Sequence, residues 1–532
     1  MKQEIKVRVS PLESSGLDLL EIFEVLQPIT FARLPGGRAD DAGGIVFEAT
    51  LPKSSRADGA ERLEFACPAT QSDPASTGLT EMPVMFSDLP AVPFPFRGRK
   101  LNVRLPSGTA GLSPMPGELA LATTAGGPIW VAGARNGVGW HRSSLPLPSL
   151  AIDGMLQQVL NADRFLELLP WLEFLRQAGG DGNFAPPPLR ACFMVDDPNL
   201  HWPRYGFVDY RELAVRAARE NYHVSFATVP LDGWYTHPGA AHLFQNNPRQ
   251  LSLLVHGNDH THYELARERT AEQCLDLLRQ AGDRVERLER AVGCEISRVM
   301  AAPHGACSEA MLQAMPACGF ESAVISHGSL RAHNQGKPWT RRLGYLPSEI
   351  IQGCPVLPRW GVTGNTHNTI LLAAYLGQPI ILRGHHADLR DDAELLGRLA
   401  NLINGLGPVT WGNMTELSRM NYQMRLEADT LRIRPGGLKL NVPLPAGARQ
   451  MVIEAPSAAT WNKWVWTGAS AGQRQLNSGE VVDLPRGCEK IFLAAVVAPA
   501  ASSVNGHHGL PLWPLLRRLL TEGRDRLQPM AG

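Results

Sequence analysis

The sequence lacks several patterns that define common classes of protein. Its eight cysteines include no Cys-x-x-Cys pair, which argues against zinc knuckles and against a disulfide framework. Its 51 basic residues equal its 51 acidic residues, so no basic surplus points to nucleic acid as the partner. No run of about 18 apolar residues is present, so we expect no transmembrane segment. Residues 1–10 contain no continuous apolar stretch, so we expect no secretory signal and a cytoplasmic location.

The N-terminal third of the chain predicts β structure followed by a helix. The 532 residues exceed the length of one typical domain, so several domains are expected. Short apolar runs cut by Gly, Pro and Ser predict a β-rich domain over residues 1–150. Residues 151–188 are interpreted as a helix and a linker. The helical spacing lies within 154–177, and Pro170 is expected to kink or split the helix.

From residue 189 the pattern changes to short apolar strands that alternate with helices, as in RACFMV, YRELAVRAARE and YHVSFATV. This alternation predicts an α/β domain over residues 189–425, with a mainly parallel sheet or barrel and a site at the carboxyl ends of its strands. Residues 426–498 return to β signals and predict a small β-sandwich-like domain. The tail, residues 499–532, contains a short amphipathic segment. We expect this segment to pack on a neighbouring domain, with membrane-surface contact as the second interpretation.

Carboxylates and imidazoles follow the predicted strands of the α/β domain. Asp196 and Asp197 follow CFMV, and His256 and His260 follow LSLLV. Two adjacent carboxylates are costly to bury without a partner, and a cation removes that cost for one of them. Two imidazoles and one carboxylate leave open positions for water and substrate on Zn, Fe, Co or Ni. A polar turn at Asp196 and loop histidines without an ion are the alternatives.

Two further motifs follow later strands. Ala302-Pro303-His304 follows RVM, and Arg383-Gly384-His385-His386 follows PIIL. A histidine of the second motif is suited to act as a general acid, with Asp388 as a carboxylate that orients it. Pro303, His304, Arg383 and His262 are candidate substrate contacts. Aromatic side chains near strand ends can stack on sugar faces or pack within the protein, and these are Trp202, Tyr205, Trp234, Tyr235 and Trp360.

In this order along the chain, the motifs resemble those of the polysaccharide deacetylases, the NodB-homology family. The resemblance covers residues 189–425 and implies an irregular (β/α) barrel flanked by β-rich N-terminal and C-terminal domains. It implies that Asp196 is the general base and that His385 or His386 is the general acid. It also implies that one divalent ion, zinc first and cobalt, nickel or iron as alternatives, is held by Asp197, His256 and His260.

Two motifs depart from the family pattern. The groove motif of the family opens with an arginine that orients the base, whereas this sequence has Met300 or Ala301 at that place. Arg298 lies on the same predicted strand but out of register, which leaves Arg383 and Arg359 as substitutes. The last motif of the family reads Leu-x-His, whereas this sequence reads Arg-Gly-His-His.

The resemblance implies a hydrolase that removes an N-acetyl or related acyl group from a sugar or glycan precursor. One alternative is a related C–N hydrolase that acts on a small cyclic amide or ureide. Another is a non-catalytic protein that binds glycans on the same fold. Metal analysis of the pure protein tests the non-catalytic alternative, and a screen of N-acetyl sugars against small amides separates the two hydrolases.

Overall fold

The structure is a computed structural model, and it describes residues 5–10, 17–27, 29–33, 44–51, 61–69, 78–151, 153–390, 392, 394–456, 458–468, 472–500 and 512–528. The chain divides into two compact units. The first unit contains residues 1–184, 336–346 and 365–376, and the second contains residues 185–335, 347–364 and 377–532. All candidate site residues belong to the second unit.

Eleven helices are found among the described residues, and three of them (α1, α2 and α8) belong to the first unit. The helices are α1 (Leu17–Leu26), α2 (Leu169–Gly179), α3 (Tyr210–Glu220), α4 (Pro238–Asn246), α5 (Ala271–Val292), α6 (Glu309–Ala314), α7 (His327–His333), α8 (Thr366–Leu376), α9 (Leu395–Asn404), α10 (Met414–Arg419) and α11 (Leu512–Leu527).

The first unit is built on a nine-stranded mixed sheet. Its strands are β1 (Ile5–Ser10), β2 (Ile29–Arg33), β3 (Ile45–Thr50), β4 (Arg62–Cys67), β5 (Leu79–Phe86), β6 (Lys100–Pro106), β7 (Leu119–Thr124), β8 (Gly127–Arg135) and β9 (Val138–Ser143). They are hydrogen-bonded in the order β2-β1-β3-β4-β9-β8-β7-β5-β6. Burial alternates along β6, as expected for a strand with one face in the core.

The helix expected over residues 154–177 is shorter than predicted. Two single 3₁₀ turns precede it, and α2 begins only at Leu169. Pro170 lies in the first turn of α2 and does not interrupt a longer helix. Its fixed φ suits the first turn, where its missing N–H would have had no intrahelical partner. Trp171 and Phe174 of α2 pack against aromatic rings of β3 and β4, at centroid distances of 5.9 to 6.4 Å.

The second unit is built on a ten-stranded sheet, which is parallel except for one pair. Its strands, together with the small hairpin β11–β12, are β10 (Arg190–Asp196), β11 (Arg204–Tyr205), β12 (Val208–Asp209), β13 (Val224–Thr228), β14 (Leu251–His256), β15 (Ser297–Ala301), β16 (Ser322–Val324), β17 (Glu349–Ile351), β18 (Cys354–Leu357), β19 (Trp360–Gly361), β20 (Ile380–Gly384) and β21 (Thr410–Trp411). The order is β17-β18-β16-β15-β14-β13-β10-β20-β19, with β21 paired to β10, and only β17 and β18 are antiparallel.

This sheet confirms a mixed α/β fold with a mainly parallel sheet. Every residue of β10 is buried, as expected for a central strand that is covered on both faces. In the described strands the hydrogen bonding ends at β17 on one side and at β19 on the other. The irregular (β/α) barrel that the resemblance implies therefore stays a prediction.

Residues 422–495 form two four-stranded sheets around one apolar core. The strands are β22 (Tyr422–Glu427), β23 (Thr430–Pro435), β24 (Lys439–Pro443), β25 (Gln450–Ile453), β26 (Lys463–Gly468), β27 (Gly472–Asn477), β28 (Val481–Asp483) and β29 (Lys490–Ala495). They pair as β22-β23-β25-β28 and as β24-β29-β26-β27. Both sheets contribute buried side chains to a common cluster that includes Leu431, Met451 and Trp464. In the described part of the chain, no helix is long and apolar enough to cross a membrane.

Candidate metal centre

Asp196 is the last residue of β10 and is held by a buried arginine. The guanidinium of Arg359, in the loop between β18 and β19, donates to both carboxylate oxygens of Asp196 at 3.1 and 3.2 Å. It also donates to the carbonyl oxygen of Ala302 at 3.0 Å. Of the two arginines that the sequence analysis named as substitutes for the groove arginine, Arg359 is the one that contacts Asp196. Arg383 lies on β20 beside Met194 and donates no hydrogen bond to Asp196 among the described contacts.

This ion pair sets the charge of Asp196. Burial raises the pKa of Asp196, but the guanidinium of Arg359, together with smaller contributions from His256 and His385, outweighs burial and brings that pKa below its ordinary value. Burial also lowers the pKa of Arg359, although Asp196 opposes this change. The lowered pKa of Asp196 favours the charged carboxylate, whereas the lowered pKa of Arg359 disfavours the charged guanidinium. Because an arginine titrates far above neutral pH, both members are charged at pH 7.

Asp197 leaves the strand with a backbone conformation that side chains rarely adopt. Its φ is 82°, which costs of order 1–3 kcal/mol for a residue other than glycine. Its N–H donates to the carbonyl oxygen of Ala227 at 3.1 Å, and its carbonyl oxygen accepts from Arg518 at 3.2 Å. The turn of the chain places the carboxylate of Asp197 on the side of the two histidines that follow β14.

The three predicted metal ligands come together. His256 ends β14, and its Nε2 lies 3.8 Å from Oδ1 of Asp197. His260 lies four residues later in a compact loop, with Nε2 3.2 Å from the same oxygen. The spacing of the two histidines is thus realised in a loop and not on a helical face. One ligand atom from each of the three side chains lies within 4.8 Å of the others.

The chemistry of these atoms fits a divalent ion. His256 donates through Nδ1 to the carbonyl oxygen of Ala301 at 2.9 Å, which leaves the lone pair of Nε2 free for a metal. Burial lowers the pKa of His256 and of His260, so both imidazoles are neutral at pH 7. Oδ1 of Asp197 and Nδ1 of His260 are buried without a hydrogen-bond partner. Buried polar atoms without partners are rare, and a bound ion satisfies the carboxylate oxygen.

A buried glutamate that the sequence analysis did not single out shapes the histidine loop. Glu264 accepts from the backbone N–H groups of Asn258, Asp259 and His260 at 2.8, 3.0 and 3.1 Å. These three N–H groups point to one side because the loop turns tightly, with His260 at a φ of 52°. A loop that exposes several N–H groups needs an acceptor, but the sequence alone does not show which nearby carboxylate supplies it.

The two histidines of the last motif lie in different surroundings. Nε2 of His385 lies 4.0 Å from Oδ2 of Asp197, and its side chain is about half exposed. Its backbone N–H donates to Asp388 at 2.7 Å, and its Nδ1 lies 4.0 Å from the same carboxylate. His386 is buried, with its ring stacked on Phe207. Nε2 of His386 lies 3.7 Å from Asp525 of α11 and faces no group of the Asp197 cluster in the described contacts.

Only some of the predicted substrate contacts lie near the cluster of Asp197, His256 and His260. The ring of His304 lies 4.9 Å from that of His260, and the ring of His262 lies 5.4 Å from that of His304. Pro303 is buried directly before His304. Trp202 is exposed and stacks on His237, at a centroid distance of 5.9 Å. Tyr205 is fully buried and donates to Asp525, which agrees with the alternative that it packs within the protein.

A second buried ion pair lies on the other side of Asp197, and the sequence did not point to it. Arg518 of α11 donates to Asp232 at 2.5 and 3.1 Å, and its Nη1 lies 3.5 Å from Oδ1 of Asp197. Both members of the pair are almost completely buried. Arg518 is one of four arginines in an amphipathic tail, and nothing in the local sequence distinguishes it as the residue that reaches a strand end 321 positions earlier.

No protein-family model matches this chain, and no curated protein matches it. Several solved structures, among them the following three, match part of the chain. A family 4 carbohydrate esterase from Streptomyces lividans is 11% identical, with 43% of this chain and 94% of that chain covered and a TM-score of 0.27. A CE4 esterase from Streptococcus mutans is 12% identical, with 42% and 85% covered and a TM-score of 0.26. A CE4 family pseudoenzyme from Bacillus anthracis is 12% identical, with 44% and 66% covered and a TM-score of 0.27.

Proposed function

We propose that this protein is a metal-dependent hydrolase that removes an N-acetyl or related acyl group from a sugar or glycan precursor. The observation that carries the proposal is the cluster of Asp197, His256 and His260, whose ligand atoms lie within 4.8 Å of one another, beside the ionised and buried Asp196. The motif order that resembles the polysaccharide deacetylases supports the same reaction class. We further propose a cytoplasmic location and zinc as the first candidate ion, with cobalt, nickel and iron as alternatives.

A divalent ion held by Asp197, His256 and His260 would supply Lewis acidity toward the scissile carbonyl and would make water at the site more acidic. Asp196 accepts a proton at a carboxylate oxygen from the water that attacks the amide carbon. Arg359 holds that carboxylate in place and keeps it ionised. The bond from the carbonyl carbon to nitrogen then breaks, which releases acetate and an amine.

We assign the general acid to His385. Its ring faces Asp197 at 4.0 Å, and its half-exposed side chain is open to a substrate, whereas His386 is buried against Phe207 and Asp525. His385 donates a proton to the leaving nitrogen, and Asp388 fixes its backbone through the N–H group. Substitution of His385 by Gln is expected to lower kcat strongly, whereas the same change at His386 is expected to act mainly on folding stability.

The proposal is tested by separating the base from the metal ligands. Replacement of Asp196 by Asn should abolish acetate release but leave the metal content of the purified protein near that of the wild type. Replacement of His256 by Ala should lose both. His223→Ala is a matched control, because His223, directly before β13, is also a buried histidine of the second unit and is bonded to Arg249 and Ser252 away from the cluster. Loss of the metal in Asp196→Asn would contradict the division of roles.

A small cyclic amide or ureide is the alternative substrate, because the same water attack and nitrogen protonation would cleave it. A panel of N-acetyl sugars and cyclic amides, assayed with the metal-loaded wild type, separates the two substrate classes. The class whose members are hydrolysed is identified by its products. If the loaded protein hydrolyses neither class but binds glycans, a non-catalytic role replaces the proposal.

A further inference from the structure

The C-terminal helix α11 lies on the second unit with its charged side inward and its apolar side outward. Arg518, Glu522 and Asp525 are the buried residues of the helix, whereas Trp513 and Leu520 are 71% and 65% exposed. An ordinary surface helix buries its apolar stripe instead. The reversed orientation requires a polar surface beneath the helix, to which its charged side chains can bind.

That polar surface is the carboxyl edge of the parallel sheet. The helix contacts the loops that follow four mutually parallel strands, β10, β13, β14 and β20. The residues contacted are Asp197, Asn199, His201, Arg204 and Tyr205 after β10, Asp232 after β13, His260 after β14 and His386 after β20. Because parallel strands end at one edge of a sheet, α11 crosses this edge beside the candidate metal centre.

Arg518 connects the helix to the proposed metal ligand that has the strained backbone. Its Nη2 donates to the carbonyl oxygen of Asp197 at 3.2 Å, and the φ of Asp197 is 82°. The N–H of Asp197 donates to the carbonyl oxygen of Ala227 at 3.1 Å. A residue other than glycine keeps such a φ only where its surroundings fix it. Arg518 therefore helps to fix the turn that directs the carboxylate of Asp197 toward the two histidines.

The positive charge of Arg518 is balanced mainly by a different carboxylate. Arg518 donates to Asp232 at 2.5 and 3.1 Å, whereas its Nη1 lies 3.5 Å from Oδ1 of Asp197. The pair of Arg518 and Asp232 is close to neutral, so it adds little repulsion toward a cation bound by Asp197. The main effect of Arg518 on this ligand is therefore to fix its backbone.

The helix also reaches the loops of a second proposed ligand and of the proposed general acid. Arg517 donates to the carbonyl oxygen of His260. Asp525 lies 3.7 Å from Nε2 of His386, the residue that follows His385. One helix thus contacts the loops of two ligands and of the acid, although it comes from the opposite end of the sequence to most of the second unit.

We propose that α11 is part of the metal centre and that Arg518 and Arg517 are positioning residues for the ligands Asp197 and His260. The inference rests on the proposed function, because it assigns these arginines a role toward the same ion. Groups that orient a metal ligand typically change metal affinity by about 10–100-fold when they are removed. The loss of Arg518 should therefore weaken metal binding without any change in the ligands themselves.

The zinc affinity of the full-length protein, measured by competition with a chromophoric chelator, tests the proposal. Arg518→Leu combined with Asp232→Leu removes the buried pair without leaving either charge unpaired, and such replacements are often neutral for folding. The zinc Kd of this double variant should rise by about 10–100-fold, while urea unfolding without metal shows a cooperatively folded protein. Arg517→Gln removes one hydrogen bond and should raise the Kd by about threefold.

Arg298→Leu combined with Glu289→Leu is the matched control. This ion pair, at 2.8 Å, belongs to the same unit, but Arg298 lies near the amino end of β15, at the opposite edge of the sheet from the ligands. Its removal should leave the zinc Kd at the wild-type value.

The proposal is overturned if the folded double variant in α11 binds zinc with the wild-type Kd. It is also overturned by a lower Kd, because Arg518 would then act by repelling the ion. If the double variant does not fold, Arg517→Gln decides, and an unchanged Kd in that variant overturns the proposal.

This result is separable from the proposed hydrolysis. If the wild type binds zinc more tightly than the α11 variants but releases no acetate from N-acetyl sugars, the role of α11 stands and the hydrolase proposal fails. If the wild type releases acetate and the α11 variants keep its zinc Kd, the hydrolase stands and the role of α11 fails. A wild-type protein that binds no divalent ion would refute both.

Discussion

Replacing Arg359 by Gln removes the positive partner of a carboxylate that is almost completely buried. Both side chains of the pair are about 95% shielded from solvent, so Asp196 would be left either charged without a partner or forced to take a proton. Breaking a buried ion pair in this way costs about 3–5 kcal/mol. Protonating a carboxylate at pH 7 instead costs about 4 kcal/mol, from three pKa units at about 1.4 kcal/mol each. Both routes predict a loss of about 4 kcal/mol.

Urea unfolding at pH 7, followed by tryptophan fluorescence, measures this loss as a change in the unfolding free energy. Arg298→Gln is the matched control, because Arg298 also pairs with a carboxylate of the second unit, Glu289, at 2.8 Å but is about a quarter exposed. An exposed pair of this kind contributes about 0–1 kcal/mol. The reasoning is refuted if the two substitutions destabilise the protein equally.

The loss of unfolding free energy in Arg359→Gln should also depend on pH, and the direction of this dependence can be predicted. In the wild type the pKa of Asp196 is lowered, so its contribution to stability is present above the unfolded value of about 4 and is lost as pH falls through the folded value. Without Arg359 the folded pKa lies above the unfolded value, so stability falls as pH rises through that interval. The deficit of Arg359→Gln should therefore be smaller at pH 5 than at pH 7, and a deficit that is equal at both would contradict the burial argument.

Three further predictions concern the metal and the histidines. Zinc at a hundred times its Kd should raise the unfolding free energy of chelator-treated protein by about 2.7 kcal/mol, and His260→Ala should abolish the rise in a thermal melt. Glu264→Ala should weaken zinc binding by about 10–100-fold in a competition titration, because the loop N–H groups lose their acceptor; unchanged affinity would show that the loop holds its shape alone. Burial lowers the pKa of His223 from 6.5 to about 4, so between pH 6.5 and pH 4 the unfolded state binds more protons than the folded state. The unfolding free energy should therefore fall by about 3 kcal/mol as pH drops through this window. His223→Asn should make the unfolding free energy less dependent on pH over the same window.

The sequence was most informative where a functional residue directly follows a short apolar strand. The segments CFMV and LSLLV lie in β10 and β14, and both of these strands pair with β13. The carboxyl ends of β10 and β14 bring Asp197, His256 and His260 together. The strand pattern and the parallel arrangement are enough for this prediction, because side chains at the ends of nearby parallel strands share one edge of the sheet. Whether these three residues bind a metal is a separate prediction that the metal titration tests.

The ion pairs that sequence reasoning did not determine join residues far apart along the chain. Arg359 was one of two arginines named as possible partners of Asp196, whereas the pairing of Arg518 with Asp232 was not foreseen. Arg359 and Asp196 are 163 residues apart, and Arg518 and Asp232 are 286 residues apart. A buried ion pair is specified by the packing of two elements and not by a local pattern, so an arginine in a tail or a loop gives no sign of its partner. The amphipathic tail was recognised as a helix, but the usual rule that the apolar side faces inward would have oriented α11 the wrong way.

The two buried ion pairs explain why Asp197 is suited to a cation although three carboxylates lie close together. Asp196 is balanced by Arg359 and Asp232 by Arg518, at 3.1 and 2.5 Å, so each pair is close to neutral. Asp197 is then the carboxylate whose charge is least compensated, since Arg518 approaches it only to 3.5 Å and burial keeps its two imidazole neighbours neutral. A divalent ion at the proposed site would supply the missing positive charge. The φ of 82° at Asp197 persists only if the surrounding contacts hold it.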